Sequence, residues 1–164
     1  MLHYKFTRFN LKNKNWQKDR EGVPVLTEEW MSDRFKLFHR YCLPSVKNQN
    51  NQNFKWLVYF DEKTSNEYKQ KIKQINGDYQ NFNPIFVSDI HKAKVHFAEF
   101  VKSDNAKPNN SETEKTIITS RLNNDDAVHS DFIDKVQHLS KNKPDYLIDL
   151  AWVINSIFQK RVLT

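Results

Sequence analysis

Two hydrophobic rhythms alternate along this chain. Short, nearly continuous apolar runs give way to longer stretches in which apolar residues recur three or four positions apart. The first kind predicts a strand, the second an amphipathic helix. Residues 2–9 open the chain as a strand with Leu2, Tyr4 and Phe6 on one side. A polar loop follows over 12–25. Thr27 then predicts a helix N-cap, with Glu28 and Glu29 suited to the first turn. Met31, Phe35, Phe38 and Cys42 fall on one helical face, which Pro44 is expected to end or bend. After a polar loop at 48–53, residues 54–60 are nearly all apolar, as in a strand buried on both faces.

The alternation continues. Thr64 and Glu67 have capping-box spacing, and Tyr68, Ile72 and Ile75 carry a helical stripe to Gly77. Residues 84–87 predict a short strand followed by Ser88 and Asp89. Residues 90–101 predict a helix, and 102–115 a polar loop. A strand at 117–122 and a helix over about 127–140 complete the pattern. The order β-α-β-α-β-α-β-α predicts one α/β domain over 1–164, built on a mainly parallel sheet with right-handed crossovers.

Composition narrows the chemistry. With 12 Phe, 6 Tyr and 4 Trp the chain can bury a substantial core. Its two glycines, Gly22 and Gly77, are isolated, which excludes a Walker loop and a dinucleotide fingerprint. Cys42 is the only cysteine, so no internal disulfide or cysteine-rich zinc site can form. The six histidines lack zinc-binding spacing, and no serine sits in a G-x-S-x-G context. The net charge of +6 favours anionic ligands. The lysines are spread along helices, so no nucleic-acid surface is expected. No 18-residue apolar span or signal-peptide core is visible, and the expected compartment is the cytoplasm. The four tryptophans suit core packing, with Trp16 in a polar loop as the exception.

The run TIITSRLNNDDAVHSDFI at 116–133 is the most informative stretch. A strand there runs into Asp125 and Asp126. Two readings apply. Asn and Asp at 123–126 suit the N-cap and first turn of the following helix. Hard oxygen ligands at the carboxyl end of a strand also suit Mg²⁺ or Mn²⁺ bridging substrate phosphates. The other strand ends are polar too: Thr7, Arg8 and Asn10, then Asp61, then Ser88 and Asp89. In a parallel sheet all of these lie on one edge, where guanidinium groups meet phosphate and carboxylates meet a metal or ribose.

The segments TRFN at 7–10, YCLPS at 41–45, QNFKW at 52–56, Phe60-Asp61 with Thr64, and TSRLNNDDAV at 119–128 together resemble the bacterial rhamnosyltransferase family of GT-A glycosyltransferases. The resemblance spans roughly residues 1–140. It implies a nucleotide-sugar donor, an α/β/α sandwich and a DxD-type motif holding Mn²⁺ or Mg²⁺. By that resemblance Asp125 and Asp126 are the metal ligands, and Thr7, Arg8, Asn10, Asp61, Arg121 and Asn123 line the donor site. The family run reads Arg-Leu-Asp-Asn-Asp-Asp-Ala, whereas Asn123 stands here at the first acid. It implies a polysaccharide or lipid-linked glycan as acceptor, met at the inner face of the membrane. Little chain follows the motif, with Asp145, Asp149 and an expected strand at 146–150. Much of an acceptor-binding half is therefore expected to be missing. The alternative is a non-catalytic nucleotide-sugar-binding domain, or a truncated remnant that needs a partner.

Overall fold

The computed structural model describes residues 1–13, 17–19, 21–106 and 116–141. Trp16, Asp145, Asp149, Trp152 and the expected strand at 146–150 lie outside them. Four strands form one all-parallel sheet in the order β3-β2-β1-β4: β1 (Leu2–Arg8), β2 (Lys55–Asp61), β3 (Phe82–Val87) and β4 (Ile117–Arg121). The chain steps outward from β1 to β3 and then crosses back to β4 on the far side of β1. The expected parallel α/β architecture is what forms. Pro84 lies in β3, an edge strand, where a missing N–H is tolerated.

Alternation along the strands feeds two cores. On one face, Trp56, Val58 and Phe60 of β2 pack against α1 (Glu28–Leu37), α2 (Leu43–Lys47), α3 (Asn66–Asp78) and α5 (Phe132–Leu139). On the other, Tyr4 of β1 and Leu57 and Tyr59 of β2 pack under α4 (Ile90–Asn105), with Phe6 against them. That helix extends into the stretch expected as loop, and Asp89 caps its start by accepting from the Lys92 N–H at 2.9 Å.

Three boundaries differ from the hydropathy pattern. Helix α1 is capped by Thr27 as expected, the Trp30 N–H donating to its hydroxyl at 3.1 Å. It does not end at Pro44. A π-helical turn at Phe38–Cys42 joins it to α2, and Pro44 sits in the first turn of α2, just past that π turn. Thr64 does not cap α3; Ser65 holds that position, and Thr64 turns inward to donate to the Asp61 carbonyl at 2.6 Å. Helix α5 begins at Phe132 rather than near 127, with Asp131 at the N-cap. The stretch from Asn123 to Asp126 lies well before it, so the capping reading of these acids fails.

Gln49 does the work a cap would do for α5. It is 4% exposed. Its amide oxygen accepts from the Ile133 N–H at 3.0 Å, and its amide nitrogen donates to the carbonyls of Ser45 at 2.8 Å and His129 at 2.7 Å. Asn51 reinforces the link by donating to Asp134 at 2.9 Å. The polar loop after α2 thus fixes the segment that carries the acids.

Two predictions follow from this packing. Gln49→Leu removes the partner of the Ile133 N–H and of the Ser45 carbonyl, while the His129 carbonyl keeps the Phe132 N–H, and should cost about 1–3 kcal/mol of stability in urea denaturation. The second concerns Lys5, which is fully buried on β1. Its ammonium has no hydrogen-bond partner among the described residues and lies 4.3 Å from the Phe132 ring centroid. Burial lowers its pKa from 10.5 to about 8. Because the folded pKa is depressed, the unfolded chain holds this proton more tightly, and stability rises with pH between about 8 and 10.5. Lys5→Met should therefore stabilise the chain by at least about 1 kcal/mol at pH 7. The gain should shrink across that alkaline window when denaturation is repeated at each pH.

Candidate functional site

The carboxyl edge of the sheet is assembled around the peptide of Phe9. Its N–H donates to the Tyr59 carbonyl at 2.9 Å, and its carbonyl accepts from the Asn124 side chain at 3.2 Å. One residue therefore ties the ends of β1, β2 and β4 together. Its ring is 1% exposed and packs on Phe35 at 4.7 Å and Phe60 at 4.9 Å between centroids. Next along the chain, Asn10 uses both ends of its amide. Its oxygen accepts from the Asp61 N–H at 3.0 Å and its nitrogen donates to the Thr64 hydroxyl at 3.0 Å. Asp61 is buried, and one of its carboxylate oxygens accepts from the Lys63 N–H at 2.7 Å. Thr7 lies in the core one step below this edge, fully buried, its hydroxyl accepting from the Trp56 indole at 2.8 Å.

Two guanidinium groups stand on the α4 side of the same edge. Arg121 pairs in register with Phe6, and Arg8 with Tyr59, so both side chains continue the face of Tyr4 and Phe6. Arg8 is half-buried, and its pKa is lowered by burial and then by the charge of Arg121. The two lie diagonally across neighbouring strands, close enough for their like charges to repel, and an anion between them relieves the repulsion.

The acids occupy the other side, in the loop after β4. Asp125 forms an ion pair with Arg34 of α1, the two side chains being 35% and 24% exposed. The reason lies one residue away. Phe35 stacks on Phe9 and on Tyr68, which sets the rotation of α1 and leaves Arg34 facing the acid loop. Asp126 is exposed and accepts from the Asn123 amide nitrogen at 2.8 Å. The loop backbone is held from below: the Cys42 thiol donates to the Asn123 carbonyl at 3.5 Å, and the Val128 N–H donates to the Ser45 hydroxyl at 3.2 Å. Burial pushes the Cys42 thiol up, out of the range of a reactive thiolate.

The donor chemistry suits a hard divalent cation. Asp125, Asp126 and the side-chain amide oxygen of Asn123 are oxygen ligands within one short turn, and Mg²⁺ or Mn²⁺ needs only one or two protein carboxylates when substrate phosphates complete the shell. Among the described residues no group of three or more His, Cys, Asp or Glu is arranged to hold a metal by itself.

Arg34, Gln49 and Asn124 have no signature in the sequence. Each acts on a residue more than eighty positions away, through contacts that exist only in the fold. A cavity of about 230 Å³ lies between α2 and the end of α3, lined by Leu43, Lys47, Ile75 and Tyr79. Helix α3 runs back from the carboxyl edge, so this cavity belongs to the opposite edge, away from the polar strand ends.

No helix among the described residues is long and apolar enough to cross a membrane. No curated protein and no solved structure matches the chain. One family does. The family described as Putative rhamnosyl transferase matches residues 6–147, which takes in the end of β1, the other three strands and the carboxyl edge, and the chain belongs to that glycosyltransferase family.

Proposed function

We propose that the chain binds a nucleotide-sugar at the carboxyl edge of its sheet and transfers the sugar to a glycan or lipid-linked acceptor. The observation that carries this reading is the sorting of charge at that edge. Arg8 and Arg121 stand on one side, Asp125 and Asp126 on the other, and the acids are released from helix capping because α5 starts at Phe132. A diphosphate suits the guanidinium pair, whose mutual repulsion it relieves. Asp61, held at the end of β2 in the frame that Asn10 and Thr64 provide, would meet the ribose or base.

A divalent ion held by Asp125 and Asp126, with the side-chain amide oxygen of Asn123 assisting, would supply the charge that stabilises the departing diphosphate. The chain's own residues do the rest. Arg8 and Arg121 hold the diphosphate oxygens as the bond from the anomeric carbon to phosphate oxygen breaks and its electron pair leaves with the diphosphate. An acceptor hydroxyl forms the new bond to that carbon and gives up its proton to a general base. A lipid-linked acceptor would bring the chain to the inner face of the membrane.

Thermal shift with UDP, GDP and dTDP, each with and without Mn²⁺, tests this. A diphosphate that binds only the folded chain should stabilise it by about 2.7 kcal/mol at a hundredfold excess over its dissociation constant. The stabilisation should be larger with Mn²⁺. Asp125→Ala should abolish the Mn²⁺-dependent part, and Asn123→Asp should enlarge it by restoring a charged ligand. No shift with any of the three diphosphates, or equal Mn²⁺ dependence in wild type and Asp125→Ala, sinks the proposal.

A further inference from the structure

The geometry points to Arg34 as a transferable counter-charge of the donor site: it holds Asp125 while the site is empty and passes to the donor diphosphate when a divalent ion takes Asp125. This inference rests on the donor-site reading above and assigns a role to a residue outside it.

Three observations carry it. First, the two adjacent acids are held differently. Asp125 is paired with the guanidinium of Arg34, whereas Asp126, among the described residues, accepts from a neutral amide, that of Asn123. Second, the pair is open. With side chains 24% and 35% exposed, it is within reach of solvent and of a competing ion. Third, the stem of Arg34 is anchored while its head, still paired with Asp125, rests beside an aromatic ring. Phe35 fixes the helix against Phe9, and the guanidinium carbon lies 5.2 Å from the ring centroid of Trp30, one turn earlier. The head can leave Asp125 without moving α1.

Charge decides the direction of the exchange. Asp125, Asp126 and Arg34 together carry one net negative charge. A divalent cation on the two carboxylates cancels both and leaves the Arg34 guanidinium as surplus positive charge at the mouth of the site. A diphosphate arriving beside it offers pairs of terminal oxygens that a guanidinium engages bidentately. Arg34 thus opposes the metal in the empty site and joins Arg8 and Arg121 in the loaded one. A structural salt bridge would act in one direction only.

The test is calorimetric titration of wild type, Arg34→Gln and Arg34→Lys, first with Mn²⁺ alone and then with UDP, GDP and dTDP in turn at saturating Mn²⁺. Arg34→Gln should bind Mn²⁺ alone roughly two- to fivefold more tightly, the size of a partly exposed ion pair removed. The same variant should bind the diphosphate roughly tenfold more weakly, from loss of a charged donor. Arg34→Lys should keep Mn²⁺ affinity near that of wild type, and it guards against a folding defect in Arg34→Gln. Unchanged or weaker Mn²⁺ binding by Arg34→Gln overturns the inference. Diphosphate binding that survives Arg34→Gln at full strength overturns the transfer but leaves the donor site standing. Failure of wild type to bind any of the three diphosphates overturns both.

Discussion

Everything at the carboxyl edge depends on how Phe9 is seated. A ring that is 1% exposed cannot move without opening the stack it shares with Phe35, Phe38 and Phe60. Its peptide, fixed by that ring, has both hydrogen-bonding groups committed to neighbouring strand ends. Burial of a large aromatic side chain stabilises by several times the net worth of a single hydrogen bond. The apolar stack therefore sets the geometry, and the polar groups of the site follow it. Arg34 is placed because Phe35 is. Asn10 is placed because it follows Phe9 out of β1.

The sheet then separates charges by simple alternation. Residues two apart on a strand share a face, so Arg8 continues the line of Tyr4 and Phe6, and Arg121 joins it from β4 by register. The acids escape this constraint because they lie past the strand, in a loop fixed instead by Gln49, Ser45, Cys42 and Asn124. One edge thereby presents cations that are held rigidly by strands beside anions held by a loop. Both sets face the ends of parallel strands, where backbone geometry leaves a crevice in open α/β sheets.

The hydrophobic rhythm was a good guide wherever packing follows local periodicity. All four strands and the long helices appear within a few residues of where the pattern puts them. It misleads where an apolar residue serves the core from a loop. Val128 packs against the main core and reads as the first residue of a helical stripe, yet α5 starts only at Phe132. It also misleads where a hydroxyl finds a nearer acceptor. Thr64 has capping-box spacing but bonds to Asp61 instead. The position of the site at the strand ends was legible because topology alone gathers those ends. The ion pair across 91 residues between Arg34 and Asp125 was not, since no local pattern encodes which helix faces which loop.

The π-helical turn at Phe38–Cys42 sets a rule about chain length. Such a turn holds one more residue than an α-helical turn, and about 100° of rotation separates successive helical positions. Here the extra residue lets Phe35 and Phe38 face the core upstream while Ser45 and Gln49 reach the acid loop downstream. Removing or adding a single residue between 38 and 42 would turn everything after it away from its partners, even with every side chain chemically intact. This part of the chain is sensitive to length more than to composition, and a gap there would be more damaging than many substitutions.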